Sequence, residues 1–123
     1  MPGAREHHDQ AWHNLAFARS TSGTDPDWRA TALFYAAVHH VDAALDRHLD
    51  SHPTDHKQRR DGMAELKERG VLTRDAYTAY RTLETRSRDA RYNCTWRGNA
   101  SFAPAALSAL EQSELTRVVS GLL

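Results

Sequence analysis

The stretch DPDWRATALFYAAVHHVDAALDRHLD, residues 25–50, decides the architecture of this chain. Asp25 stands before Pro26, and Asp27 follows in the positively polarised first turn, which together predict a helix start. Phe34, Val38, Val41, Leu45 and Leu49 then fall within one narrow arc of a helical wheel, so this helix carries a core-facing stripe. Ala30, Ala32, Ala36, Ala37, Ala43 and Ala44 cover much of the remainder and let neighbouring helices approach closely. The pattern predicts the central helix of a bundle, ending near Asp50 because the residue before Pro53 is pushed out of the α region.

Outward from that helix, punctuation predicts four more. A first helix runs from about Arg5 to Ser20, with Trp12, Leu15, Ala16 and Arg19 recurring at helical spacing before the turn Ser20-Thr21-Ser22-Gly23. A third runs from about Asp55 to Arg69, capped by Thr54 and terminated by Gly70. Thr73 caps a fourth that extends to about Tyr92, with Ala76, Tyr80, Leu83, Ser87 and Ala90 inward. Cys94 to Phe102 reads as a loop. Pro104 opens the last helix, whose apolar face is Leu107, Leu110, Leu115, Val118 and Leu122 and whose end is marked by Gly121. No segment alternates with the period of a strand, so the expectation is all-α: an up-and-down bundle of about five helices, one domain over residues 1–123.

Composition narrows the function classes. The 16 Lys and Arg balance the 16 Asp and Glu, which argues against a non-specific polyanion binder, although charge is unevenly spread. Residues 69–97 carry seven Arg and three acids, whereas residues 1–68 carry eight Lys or Arg and eleven acids, placing the basic excess on the fourth helix and the loop after it. One cysteine, Cys94, permits neither an intrachain disulfide nor a thiolate zinc site, and the N-terminus lacks an apolar leader. With no run near the ~18 apolar residues of a membrane span, the expectation is a soluble cytoplasmic protein.

Polar residues on the apolar faces are the candidates for chemistry. His39 and Asp42 are i,i+3 neighbours on the second helix, where a carboxylate can hold an imidazole's tautomer. Turning Met63 and Leu66 inward turns His56 and Arg59 inward as well, and buried polar groups need partners. Tyr77, Glu84, Arg88 and Arg91 flank the core of the fourth helix, with Glu84 and Arg88 in the favourable i,i+4 order. A cluster of His39, Asp42, His56, Arg59, Glu84, Arg88 and Arg91 reads equally well as a register-fixing network and as an anion pocket. Arg81, Arg86, Arg97 and Trp96 are further candidates for nucleic-acid contact, with a solvated Arg face as the plainer reading. The eight histidines form no metal motif: Pro53 interrupts the spacing of His48, His52 and His56, and the adjacent pairs His7-His8 and His39-His40 point about 100° apart. No cofactor is therefore expected; a DinB-like histidine-metal bundle is the second alternative.

Three of these segments resemble the HEPN family. Ala32-Leu33-Phe34-Tyr35-Ala36-Ala37-Val38-His39-His40-Val41-Asp42-Ala43-Ala44-Leu45 resembles its second helix, with a Tyr-Ala-x-x-His pattern followed by small residues and Leu. Asp55-His56-Lys57 lies where small members carry Lys-Ser-His or Lys-Thr-His, and Arg88-Asp89-Ala90-Arg91-Tyr92 resembles Arg-x-x-Ala-Asp-Tyr. The resemblance spans residues 28 to 92. It implies a helical bundle that commonly dimerises and a polar cleft for nucleotides or, in many members, metal-independent RNA cleavage, in toxin-antitoxin settings or beside a nucleotidyltransferase partner. Tyr92 joins the implied site with His39, Asp42, His56, Arg59, Arg88 and Arg91. Nuclease members carry Arg followed after four to six residues by His near the later helices; here only Arg47 to His52 has that spacing, and Arg91 replaces an aspartate. The resemblance thus favours a binding module for a nucleotide, RNA or protein partner, with a metal-independent ribonuclease using His39 or His56 as the alternative.

Overall fold

A computed structural model describes residues 2–21, 25–93 and 100–122. Helix α1 spans Ala4–Ser20, α2 Pro26–Leu49, α3 His56–Glu68 and α4 Arg74–Tyr92. A 3-10 turn at Ala100–Phe102 leads into α5, Pro104–Leu110, which continues through a π-helical stretch, Glu111–Leu115, into α6, Thr116–Ser120. The last three form one continuous rod, so the protein is an all-α bundle of five helical rods. Among the described residues there is no strand, only one bridge between Leu72 and Leu122 that ties the start of α4 to the end of the chain.

Local chemistry explains most of the boundaries. Thr73 Oγ1 accepts from the Ala76 N–H and caps α4 as its sequence implies. Gly70 closes α3 at φ +76, and Asp50 closes α2 at φ +47, the left-handed region that glycine and aspartate tolerate best. Asp25 also sits at φ +44, so it occupies the cap position of α2 without its side chain bonding a helix N–H. At α3 the cap is Asp55 rather than Thr54: Asp55 accepts from the Gln58 N–H at 2.7 Å, while Thr54 bonds the Gln58 side chain. A carboxylate, carrying full charge, is the stronger acceptor at a helix N-terminus.

The core gathers around α2 and α4. Leu33, Phe34, Val41, Leu45, Met63, Leu66, Tyr80, Leu83 and Val118 are buried, and the rings of Phe34 and Tyr80 pack 5.4 Å apart. All five expected inward residues of α4 are buried; along α2, Leu49 alone of the expected stripe is only partly so. A smaller cluster of Ala30, Ala90, Phe102 and Leu107 seats the 3-10 turn against both helices, so Phe102 ends the expected loop inside the core. The rest of that loop, residues 94–99, lies outside the described residues, as do Ser22 and Gly23 of the first expected turn.

Helix α1 turns a different face inward from the one its large residues suggest. Ala11, Leu15 and Ala18 are buried, whereas Ala16 and Arg19 are exposed and Trp12 and Phe17 are each 49% exposed. The small residues win because α1 lies along α2 in the most extensive helix pairing of the bundle, and Ala11 and Ala18 permit that approach. Ala30, Ala36 and Ala37 of α2 are buried as well, whereas Ala32, Ala43 and Ala44 are only partly so. Glu111, in the π-helical stretch, pairs with Arg19 of α1 and with the buried Arg29 of α2, fastening the fifth rod to both.

Candidate functional site

Asp42, on the buried side of α2, accepts two hydrogen bonds from Arg59 of α3: Nε to Oδ1 at 2.7 Å and Nη2 to Oδ2 at 3.2 Å. Asp42 is 6% and Arg59 8% exposed, so this is a desolvated bidentate ion pair. It answers the problem set by the helix face that buries Met63 and Leu66, because an interior guanidinium must be neutralised. Hydrogen bonding to Asp42 raises the Arg59 pKa against the opposing effect of burial, so the cation is secure.

His56 stands at the first turn of α3, partly exposed. Its Nδ1 lies 3.2 Å from Arg59 Nη1, and because guanidinium only donates, Nδ1 must accept. The neutral ring therefore carries its proton on Nε2. Burial, then the nearby positive charges of Arg59, Arg91 and Arg60, hold the His56 pKa below the ordinary value against the pull of Glu84, whose Oε2 is 4.0 Å away. The imidazole packs on Phe34 and Tyr35, with ring centroids at 5.6 and 6.4 Å.

Glu84 of α4, only 3% exposed, is the second anionic hub. Arg60 Nη1 reaches its Oε2 at 3.3 Å and Arg81 Nε its Oε1 at 3.0 Å. The expected Glu84–Arg88 pair does not form: Arg60 and Arg81 take both oxygens, and Arg88 is exposed with no hydrogen bond or ion pair among the described residues. Arg91 follows another path. It donates from Nη1 to the Tyr35 hydroxyl at 3.1 Å and from Nε to the Ser87 carbonyl, and its guanidinium lies 5.6 Å from the Tyr35 ring centre and 5.1 Å from that of Tyr92.

Of the expected cluster, Asp42, His56 and Arg59 are in direct contact, and Arg91 joins them through Tyr35. Tyr92 is 69% exposed and touches the group through Arg91. His39 faces the other flank of Asp42 and pairs with His7 of α1, their Nδ1 atoms 2.9 Å apart. Burial, then His7, lowers the His39 pKa. Arg60, Arg81 and His7 were not legible as members of this network. Arg60 carries a sequence signal, since it adjoins Arg59 at the α3 start and faces α4; His7 carries none, because the large residues of α1 point to a different inward face from the one it buries. Among the described residues the histidines form no trio; the groups with metal-ligand spacing are His7, His39 and Asp42, and Asp46, Asp50 and His52. His52, between α2 and α3, pairs with both of those aspartates. No described helix is long and apolar enough to cross a membrane. Comparison with family models, curated proteins and solved structures finds no match, so the functional reading rests on this charged core and its exposed rim.

Proposed function

We propose that the chain is a HEPN-like binding module that holds a nucleotide, or the phosphate backbone of single-stranded RNA, on the rim where α2, the start of α3 and the end of α4 meet. Arg91 carries this reading. Asp42 neutralises Arg59, and Glu84 compensates Arg60 and Arg81, but Arg91 has no carboxylate partner among the described residues and is held between two tyrosine rings. A guanidinium oriented in this way offers its remaining N–H groups to a phosphate. The Nε2–H of neutral His56 adds a donor, Arg88 adds a positive charge with no partner among the described residues, and exposed Trp28 and Tyr92 supply faces on which bases can stack.

The same geometry speaks against the ribonuclease alternative. Nδ1 of His56 is occupied by Arg59 and Nε2 carries the proton, so the neutral ring is no base, and its depressed pKa makes it a poor acid near neutrality. His39 is engaged by His7. The decisive measurement is fluorescence anisotropy with a short labelled single-stranded RNA, with calorimetry on ATP in parallel. Arg91→Ala should weaken binding about tenfold or more, the range for a lost charge-assisted hydrogen bond, and no cleavage should be seen. Equal binding by wild type and Arg91→Ala, or none by wild type, rejects the reading.

Homodimerisation belongs to the same proposal, as do a cytoplasmic setting and action beside a nucleotidyltransferase. The dimer surface is placed at Trp12 and Val119, exposed side chains that line one cavity of about 220 Å³ between α1 and the fifth rod. Light scattering should return twice the 13.9 kDa chain mass; a monomer would remove that part alone.

A further inference from the structure

Four histidines line the seam between α1 and α2 in two facing pairs. The rings of His7 and His39 lie 5.2 Å apart and those of His8 and His40 lie 5.5 Å apart, so two adjacent dipeptides meet across the antiparallel helices. The pairs differ in their chemistry. His8 Nε2 accepts from the Trp12 indole N–H at 3.0 Å, and the His8 and His40 rings meet edge to face. His7 and His39 instead aim their Nδ1 atoms at each other, 2.9 Å apart, with a carboxylate oxygen of Asp42 within 4.8 Å of both.

We propose that His7, His39 and Asp42 form a binding site for a borderline divalent transition metal of the Zn²⁺ class. Two imidazole nitrogens bound to one such ion at about 2.1 Å stand about 3.0 Å apart when the bonds meet at a right angle and about 3.4 Å apart in a tetrahedron. The observed spacing is already at the first value. Two histidines and one carboxylate on one side of an ion, with the other positions left to water or ligand, is a donor set that suits zinc, cobalt, nickel and iron rather than the hard cations magnesium and calcium. Half-burial of both rings leaves that outer side open.

The supports are in place around the three ligands. His39 and Asp42 lie one turn apart on α2 and share a face. His7 comes from the second turn of α1, and the Ala4 N–H donates to Asp46 Oδ2 at 2.8 Å, which anchors the start of α1 on α2 close by. Arg59 fixes the Asp42 carboxylate through one lone pair on each oxygen, leaving another on each for a metal, the role that carboxylate partners play behind ligands in built sites. Without metal, the facing nitrogens share one proton in an N–H···N bond, and Asp42 serves Arg59 alone.

The test is calorimetric titration of the full chain with Zn²⁺, paired with the visible spectrum of Co²⁺ added in its place. Wild type should bind one ion per chain. His7→Ala, a change near the exposed end of α1 that leaves the core intact, should weaken Zn²⁺ at least tenfold and abolish the Co²⁺ bands; His39→Ala, with folding checked by circular dichroism, should do the same. His8→Ala, His52→Ala and Arg91→Ala should bind as wild type does, the last keeping this site separable from the nucleotide rim. Unchanged affinity in His7→Ala, or loss of binding in His52→Ala, overturns the assignment.

Discussion

Arg59 and Asp42 lie 17 residues apart on different helices and join α3 to α2 through a two-pronged ion pair that is almost completely buried. Removing one partner of such a pair leaves a charge in a low-dielectric interior, at about 3–5 kcal/mol, whereas replacing both by apolar groups of similar volume is nearly neutral. Asp42→Ala and Arg59→Met should each lower stability by about that amount. The double variant should be more stable than the sum of the single losses predicts, read as a coupling energy from urea melts. Additive losses would show that the two side chains do not depend on each other.

The pH dependence of stability follows from His56. Its folded pKa is held below the unfolded value of 6.5 by burial, Arg59, Arg91 and Arg60, with Glu84 opposing, so the unfolded chain takes up a proton first as pH falls. The stability contributed by neutral His56 is complete above the unfolded pKa and is lost as pH falls through the folded one. His39 and His40, also lowered by burial, act in the same direction, with His40 pushed to about 4. The melting temperature should be flat near pH 7.5 and fall progressively below about pH 6, and His56→Gln should reduce the slope.

Exposed aromatic residues at the proposed rim separate affinity from stability. Trp28 is 57% and Tyr92 69% exposed, so truncating either removes little from the core. Trp28→Ala and Tyr92→Ala should melt within about 0.5 kcal/mol of wild type and yet weaken single-stranded RNA binding by about 1–3 kcal/mol for each base that stacks there. Anisotropy on both variants distinguishes stacking from purely electrostatic binding, which would leave their affinities unchanged.

Gly121 tests the closure of the bundle. Its carbonyl accepts from the Thr73 N–H, and a Cβ at this position would overlap the Ala76 methyl and Thr73 Oγ1, the side chain that caps α4. Gly121→Ala should therefore destabilise by about 1–3 kcal/mol, the usual cost of overpacking, although the glycine's φ of −85 suits any residue. An unchanged melt would show that the chain end can move away from α4 without loss.

Boundaries were legible in the sequence because their causes are local. Pro26, Thr73, Gly70, Pro53 and Pro104 act within one turn of the residues they punctuate, and the α4 stripe from Ala76 to Ala90 and the inward turn of His56 and Arg59 follow from helical period alone. Three features were decided only by tertiary structure. Helix α1 presents Ala11 and Ala18 rather than Trp12, since a helix with a weak stripe takes its rotation from the surface it packs on, and small residues carry little periodic signal. Glu84 pairs with Arg60 and Arg81 instead of Arg88, because a carboxylate only 3% exposed binds the cations that the neighbouring helix and its own preceding turn bring within reach. His7 meets His39 because the register of two antiparallel helices brings residues 32 positions apart face to face, a relationship that no spacing along one helix encodes.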